Sequence, residues 1–196
     1  MAVELRKGQK VNLSKSANFG EILINLNWKQ GTEKKGLFGG IKMQSIDLDL
    51  GAFVEMNDGT KHVIQALGNS FGTIDSIPFV ALDGDDRTGS VDGGENLRVN
   101  GRMSQNIKRI LVYTFIYEGV TSWQKANAVI TIKYSGGDDI VVRMDEISTT
   151  QKMCAIAEIV NSGGEMSVEK KVNFFNGHQD MDKALNWGFS WTVGRK

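Results

Sequence analysis

The sequence predicts an all-β protein, an antiparallel sandwich or barrel with a short C-terminal helix. Three observations carry this. Apolar residues recur with a period of two, glycine-rich turns separate the alternating runs, and helix-like patterning is confined to one stretch near the end. Alternation marks a strand with one buried face. Many short strands punctuated by glycine turns belong to sandwiches and barrels.

Taken in order, residues 3–13 read as the first strand. Glu21 to Trp28 follows, with Ile22, Ile24, Leu26 and Trp28 on one face. Residues 45–56 place Ile46, Leu48, Leu50, Ala52, Val54 and Met56 on one face, the pattern of a half-buried strand. Asn57-Asp58-Gly59 is a hairpin signal leading into a strand at 61–67. Further strands are expected at 77–82, 95–100, 107–117, 127–134, 139–145, 152–161 and 165–175, all rich in β-branched and aromatic residues. The run Ile107 to Tyr117 is apolar on both faces and should lie in the middle of a sheet. Pro78 belongs at the start of a strand or on an edge, because proline cannot donate to a ladder. Asp180 to Trp187 reads as the helix, with Gly188 as its C-cap. Residues 30–42 and 67–77 read as mobile loops.

The chain has 196 residues, 40% of them apolar, which suits a single domain over 1–196. Its 23 basic and 23 acidic residues balance, so charge gives no reason to expect a nucleic-acid partner. One cysteine, Cys154, excludes an intramolecular disulfide and sits in an apolar run where a buried thiol is expected. The N-terminus lacks a signal-peptide h-region, and no run of about 18 apolar residues exists to span a membrane, so a cytoplasmic location is expected.

The densest chemistry lies in Asp83 to Glu95, where five carboxylates and four glycines surround a single Arg87. Carboxylates this close repel one another unless a cation sits among them. Ca²⁺ takes oxygen ligands from carboxylates and backbone carbonyls, and glycines let a backbone turn its carbonyls inward. Counted from Asp83, the positions that an EF-hand gives to a ligand, a glycine and a glutamate hold Arg87, Thr88 and Gly94, so this is not an EF-hand. A solvated acidic turn is the plain alternative. Asp47 and Asp49 are two apart and project from one strand face, opposite Ile46, Leu48 and Leu50. A shared cation, a cationic side chain from a neighbouring strand, or exposure to water would each relieve that pair.

Asp85-Asp86-Arg87-Thr88-Gly89 followed by Asp92-Gly93-Gly94-Glu95 resembles the calcium loop of the TerD family of tellurium-resistance and stress proteins. Leu5 to Lys15 resembles that family's opening L-x-K-G-x-x-V-x-L-S-K, and Ile46 to Phe53 its F-D-L-D-A-S-A-F strand. Tyr113 to Gly119 and Asn186 to Trp191 are similar to segments of the family's TerA branch.

The resemblance implies a β-sandwich holding one or two Ca²⁺ ions at one end. It implies Asp47 and Asp49 as strand ligands, Asp85, Asp86, Asp92 and Glu95 as loop ligands, and Thr88 and Gly93 as backbone ligands. It further implies a bacterial stress-response protein acting with other Ter-family proteins, cytoplasmic or peripheral to the inner membrane. The departures are Asp86 for Asn, Val91 for Gly, Gly94 for Asp and Asn96 for Glu, and losing acids at the loop's far end should weaken at least one site.

Other chemistry has less support. His62 lies in a strand and His178 in a polar turn, neither with a motif partner, and no G-x-S-x-G elbow or phosphate loop appears. The chain is therefore expected not to be an enzyme. Trp187 and Trp191 would share a face if the helix continued, either anchoring the terminal segment or docking a protein. A calcium-dependent phospholipid-binding module is the alternative function, although Lys34-Lys35 and Lys170-Lys171 are sparser than the four to eight basic residues, roughly, that lipid recognition uses. A scaffold that no longer binds metal is a further alternative.

Overall fold

In the computed structural model of the chain, the described residues are 2–13, 20–29, 33–35, 41–43, 46–84, 94–119, 122–144 and 148–192, with 33–35 and 41–43 described by backbone alone. Among them the alternating runs become strands β1 (Ala2–Glu4), β2 (Lys10–Asn12), β3 (Glu21–Asn27), β4 (Glu33–Lys35), β5 (Ile41–Met43), β6 (Ile46–Met56), β7 (Lys61–Gln65) and β8 (Gly72–Thr73). Then come β9 (Val80–Leu82), β10 (Glu95–Asn100), β11 (Ile107–Gly119), β12 (Val129–Tyr134), β13 (Asp139–Arg143), β14 (Met153–Ser162) and β15 (Glu165–Phe175). Two short helices, α1 (Trp123–Ala126) and α2 (His178–Ala184), complete the order.

Seven strands form one sheet in the order β1-β13-β12-β3-β10-β9-β8, and six form another in the order β2-β15-β14-β11-β6-β7. The pairings are antiparallel except for β1 on β13, which is parallel. The all-β sandwich read from the sequence is therefore the fold. Its core lies between the sheets: Ile22, Ile24, Leu26 and Trp28 meet Ile46, Leu48, Leu50, Ala52, Val54 and Met56. Each such buried aliphatic side chain contributes about 1.5–3 kcal/mol of transfer free energy.

Several boundaries differ from the sequence reading. The expected strand 3–13 is two strands in different sheets, because Gly8 takes φ +76 between them and turns the chain across the sandwich. The expected strand 77–82 is shorter: Pro78 follows a cis peptide in a turn, and β9 starts at Val80. Both expected loops contain pairing. The backbone of β4 pairs with β5, and β8 pairs with β9. The helix begins two residues earlier and ends three residues earlier than expected. Asn186 and Gly188, at φ +55 and +77, turn the chain back instead of continuing it.

The largest difference concerns burial. Strand β6 is buried along its whole length, not on one face only. A second apolar cluster lies on the outer face of the six-stranded sheet, built from Phe53, Leu111, Tyr113, Phe115, Met153 and Phe175 under Met181 and Trp187. Strand β11 lies between β6 and β14, as its two apolar faces require. Its Ile110, Val112 and Ile116 enter the inner core, and Leu111, Tyr113 and Phe115 the outer one. Among the described residues no helix is long and apolar enough to cross a membrane.

Candidate metal centre

Strand parity sends Asp47 and Asp49 to the outer face of β6, in line with Gly51, Phe53 and Glu55. The start of this strand is fixed by Trp28, whose indole Nε1 donates to the Ile46 carbonyl at 2.8 Å. Strand β7 pairs only with residues 51–55 of β6, so the edge at residues 46–50 meets other groups on that side. One of them is Glu95. It opens β10, and its parity with Leu97 and Val99 turns it between the sheets. Its Oε2 accepts from the Leu50 backbone N–H at 2.6 Å. Asp47, Asp49 and Glu95 are 7%, 0% and 2% exposed. Carboxylates this buried are costly unless compensated by partners or a cation.

The acidic segment is the connection of the β9–β10 hairpin, and its stem is well tied. Asp83 donates its N–H to the Asn96 carbonyl at 2.9 Å. Arg98 bridges the Asp83 carboxylate at 2.7 Å and the Glu21 carboxylate at 2.6 Å. Gly94 takes φ +56, and a Cβ there would collide with the Leu26 carbonyl. The glycine at a position where the family has Asp is therefore a steric requirement of this stem.

Of the eight residues proposed as ligands, the structure describes Asp47, Asp49 and Glu95. Asp85, Asp86, Thr88, Asp92 and Gly93 lie outside the described residues. Among the described residues no group of three or more His, Cys, Asp or Glu is placed to hold a metal. The geometry explains this: Glu95 reaches the strand edge from the inner side, whereas Asp47 and Asp49 lie on the outer face. The three share an end of the sandwich without converging, and completing a centre would fall to the loop. Their donors are hard carboxylate oxygens, the kind Ca²⁺ takes. Sequence reasoning missed Glu118, which the β6–β11 register sets opposite Asp47. A bulge between Ile116 and Glu118 hid that pairing from any count of residues.

The other end of the same face is aromatic. Gly51 makes the passage between the two ends possible, since a Cβ there would lie 2.5 Å from Tyr113 ring atoms. The Tyr113 ring thus crosses β6, and its hydroxyl donates to Gln65 Oε1 on β7 at 2.7 Å. Burial, and then the charge of Asp49, push the Tyr113 phenol well above its ordinary pKa. Phe53 meets Trp187 and Trp191 at ring-centroid distances of 5.4 and 5.7 Å. The tail is clasped by Asp182, which accepts from the Gly188 N–H at 2.6 Å and from Trp191 Nε1 at 2.7 Å. Both tryptophans therefore anchor the terminal segment by a turned-back chain, not by a common helix face.

His178 is not in a polar turn. It opens α2 and packs against Tyr113, Phe115 and Trp191. Burial lowers its pKa to about 4, so it is neutral at pH 7. Cys154 is buried as expected, and burial pushes its thiol up.

The TerD domain family matches residues 1–178. The chain is similar to the "Tellurium resistance protein TerA" of Alcaligenes sp, 48% identical over 188 residues that cover 95% of this chain and 56% of that protein. It thus spans about half the length of that relative. The opening motif, the acidic strand and the hairpin loop all fall inside the matched segment, and the chain belongs to the TerD family.

Proposed function

We propose that this chain is a non-enzymatic calcium-binding protein of bacterial tellurite resistance and stress response, acting through a calcium-stabilised surface that docks other Ter-family proteins. The observation that supports it most is the burial of Asp47, Asp49 and Glu95, the last of them ending the acidic segment in sequence. Asp47 and Asp49 would hold the ion from the strand. Asp85, Asp86 and Asp92 would hold it from the loop, with Thr88 and Gly93 contributing backbone oxygens, and Glu95, on the inner side of the strand edge, would serve a second, adjacent ion. Bound calcium supplies the positive charge that lets these carboxylates sit together. Docking the loop on the edge of β6 turns the sandwich rim into a defined contact surface. The buried Cys154 favours such a binding role over thiol chemistry on tellurite, because a reactive thiol needs exposure and a lowered pKa.

Calorimetric titration of calcium into chelator-treated protein tests this reading. Saturable binding is expected, and native mass spectrometry of the loaded protein should count one or two ions. No binding up to millimolar calcium would overturn it.

A further inference from the structure

The sequence holds two Asn-Gly pairs, Asn100-Gly101 and Asn176-Gly177. An asparagine followed by glycine is prone to cyclise, because the glycine nitrogen can approach the side-chain carbonyl carbon with no Cβ in the way. The fold treats the two pairs in opposite ways. Asn100 is held at both ends of its amide: Oδ1 accepts from the Arg102 N–H at 3.2 Å, and Nδ2 donates to the Ile74 carbonyl at 3.0 Å. Gly101 beside it is buried and opens a short helical turn, Gly101–Asn106.

Asn176 and Gly177 form the junction between β15 and α2. Asn176 is exposed, and among the described residues its amide is held by one hydrogen bond, from Nδ2 to Asp180 Oδ2 at 3.2 Å. The Asn176 backbone N–H donates to the same oxygen at 3.0 Å. The Gly177 backbone is extended, at φ 177 and ψ −175, and its N–H donates no hydrogen bond among the described residues. The helix that follows carries Asp182, which accepts from the Gly188 and Phe189 N–H groups and from Trp191 Nε1. A change at this junction therefore acts on the element that fastens the cover over Phe53 and Tyr113.

We propose that Asn176 is a self-modification site, whose deamidation through Gly177 loosens the C-terminal cover of the six-stranded sheet. The Gly177 nitrogen attacks Asn176 Cγ. A C–N bond forms there, the Cγ–Nδ2 bond breaks, and ammonia leaves with the proton that the Gly177 nitrogen gives up. Water then opens the cyclic imide. Breaking the Cγ–N bond leaves aspartate, and breaking the bond to the former main-chain carbonyl leaves isoaspartate, whose main chain is longer by a methylene. Either product puts a carboxylate beside Asp180 in place of the amide that donated to it. Like charges this close repel. The lengthened isoaspartyl chain also displaces the start of α2 against the end of β15, and with it the Asp182 clasp. The inference is independent of the calcium reading.

The experiment ages the native protein, beside a denatured control, for several weeks in mildly alkaline buffer at physiological temperature. Peptide mapping by mass spectrometry, with enzymatic methylation of isoaspartate, then reads each pair. The denatured chain should deamidate at both pairs, and the native protein at Asn176 while Asn100 stays intact. Gly177→Ala, whose added methyl group would meet nothing within 4 Å among the described residues, should slow the reaction strongly. Asn176→Gln, which keeps the amide but closes a less favourable ring, should abolish it at this position. Hydrogen exchange of the Trp191 indole N–H reads the clasp. It should be faster, and Tm lower, in the modified protein than in fresh protein or in aged Asn176→Gln. An intact Asn176 in the native protein once the denatured control has reacted, equal reaction at Asn100, or unchanged Trp191 exchange after modification would overturn the proposal.

Discussion

The outer face of β6 carries carboxylates at both ends, and the two ends treat them differently. At one end Glu55 receives Lys108 at 2.8 Å and Arg109 at 2.6 Å, and Arg109 also lies 4.0 Å over the Trp187 ring. Burial pushes the Glu55 carboxyl up, but the hydrogen bonds from these two cations outweigh it and hold the pKa below the ordinary value. The protein supplies that counter-charge itself. At the other end Asp47 and Asp49 are buried on the same strand face, and the counter-charge we assign there is calcium. One sheet face thus joins a self-contained half, closed by aromatic packing, to a half whose completion we assign to an ion.

That contrast can be broken most forcefully at Phe53. Phe53→Ala removes the ring on which Tyr113, Trp187, Phe189 and Trp191 converge, and should cost about 4 kcal/mol, read by denaturant unfolding. The variant should still respond to calcium, since its acidic end is untouched. Asp49→Asn probes the opposite half. At calcium a hundredfold above its dissociation constant, the parent chain should gain about 2.7 kcal/mol over the chelated form, and the variant should lose most of that gain while keeping its near-ultraviolet aromatic signal. A loss of calcium response in Phe53→Ala as well would show that the halves are one unit.

Acid sharpens the comparison further. The His178 pKa falls to about 4 in the folded chain from 6.5. Between these values the unfolded chain binds more protons, so stability should fall as pH drops from about 6.5 towards 4, by on the order of 2 kcal/mol. The neutral state is the stable one, and above pH 6.5 this group contributes no pH dependence. His178→Phe should flatten that part of the stability profile. The smallest effect is expected at Thr114, whose fully buried Oγ1 has no hydrogen-bond partner among the described residues. Thr114→Val should raise stability by about 1 kcal/mol, seen as a higher Tm.

Much of the fold was legible because period-two patterning and glycine turns act locally. Ile22, Ile24, Leu26 and Trp28 went to the core together, as did the alternate residues of β6. What stayed hidden depends on distant contacts. No local pattern announces that Phe53 and Phe115 would be covered from outside, because the cover comes from residues 178–191, more than a hundred positions later than Phe53. At the candidate centre, Asp47 and Asp49 were legible from parity, but the reach of Glu95 to Leu50 required knowing that β7 stops short. His178 was misread because its aromatic neighbours come from β11 and from the tail that returns past it.

The first dozen residues have a consequence of their own. β1 lies against β13 in one sheet and β2 against β15 in the other, so a single short segment closes an edge of each. Leu5, Gly8 and Leu13 extend these seams through bonds to Val141, Lys170 and Met166. The crossing between them, Arg6 to Gly8, is exposed. A protease nick there would loosen both seams at once and bare two strand edges, each a template for pairing with another molecule. This segment is thus expected to guard against aggregation, and limited proteolysis followed by light scattering should show scattering rise once it is cut.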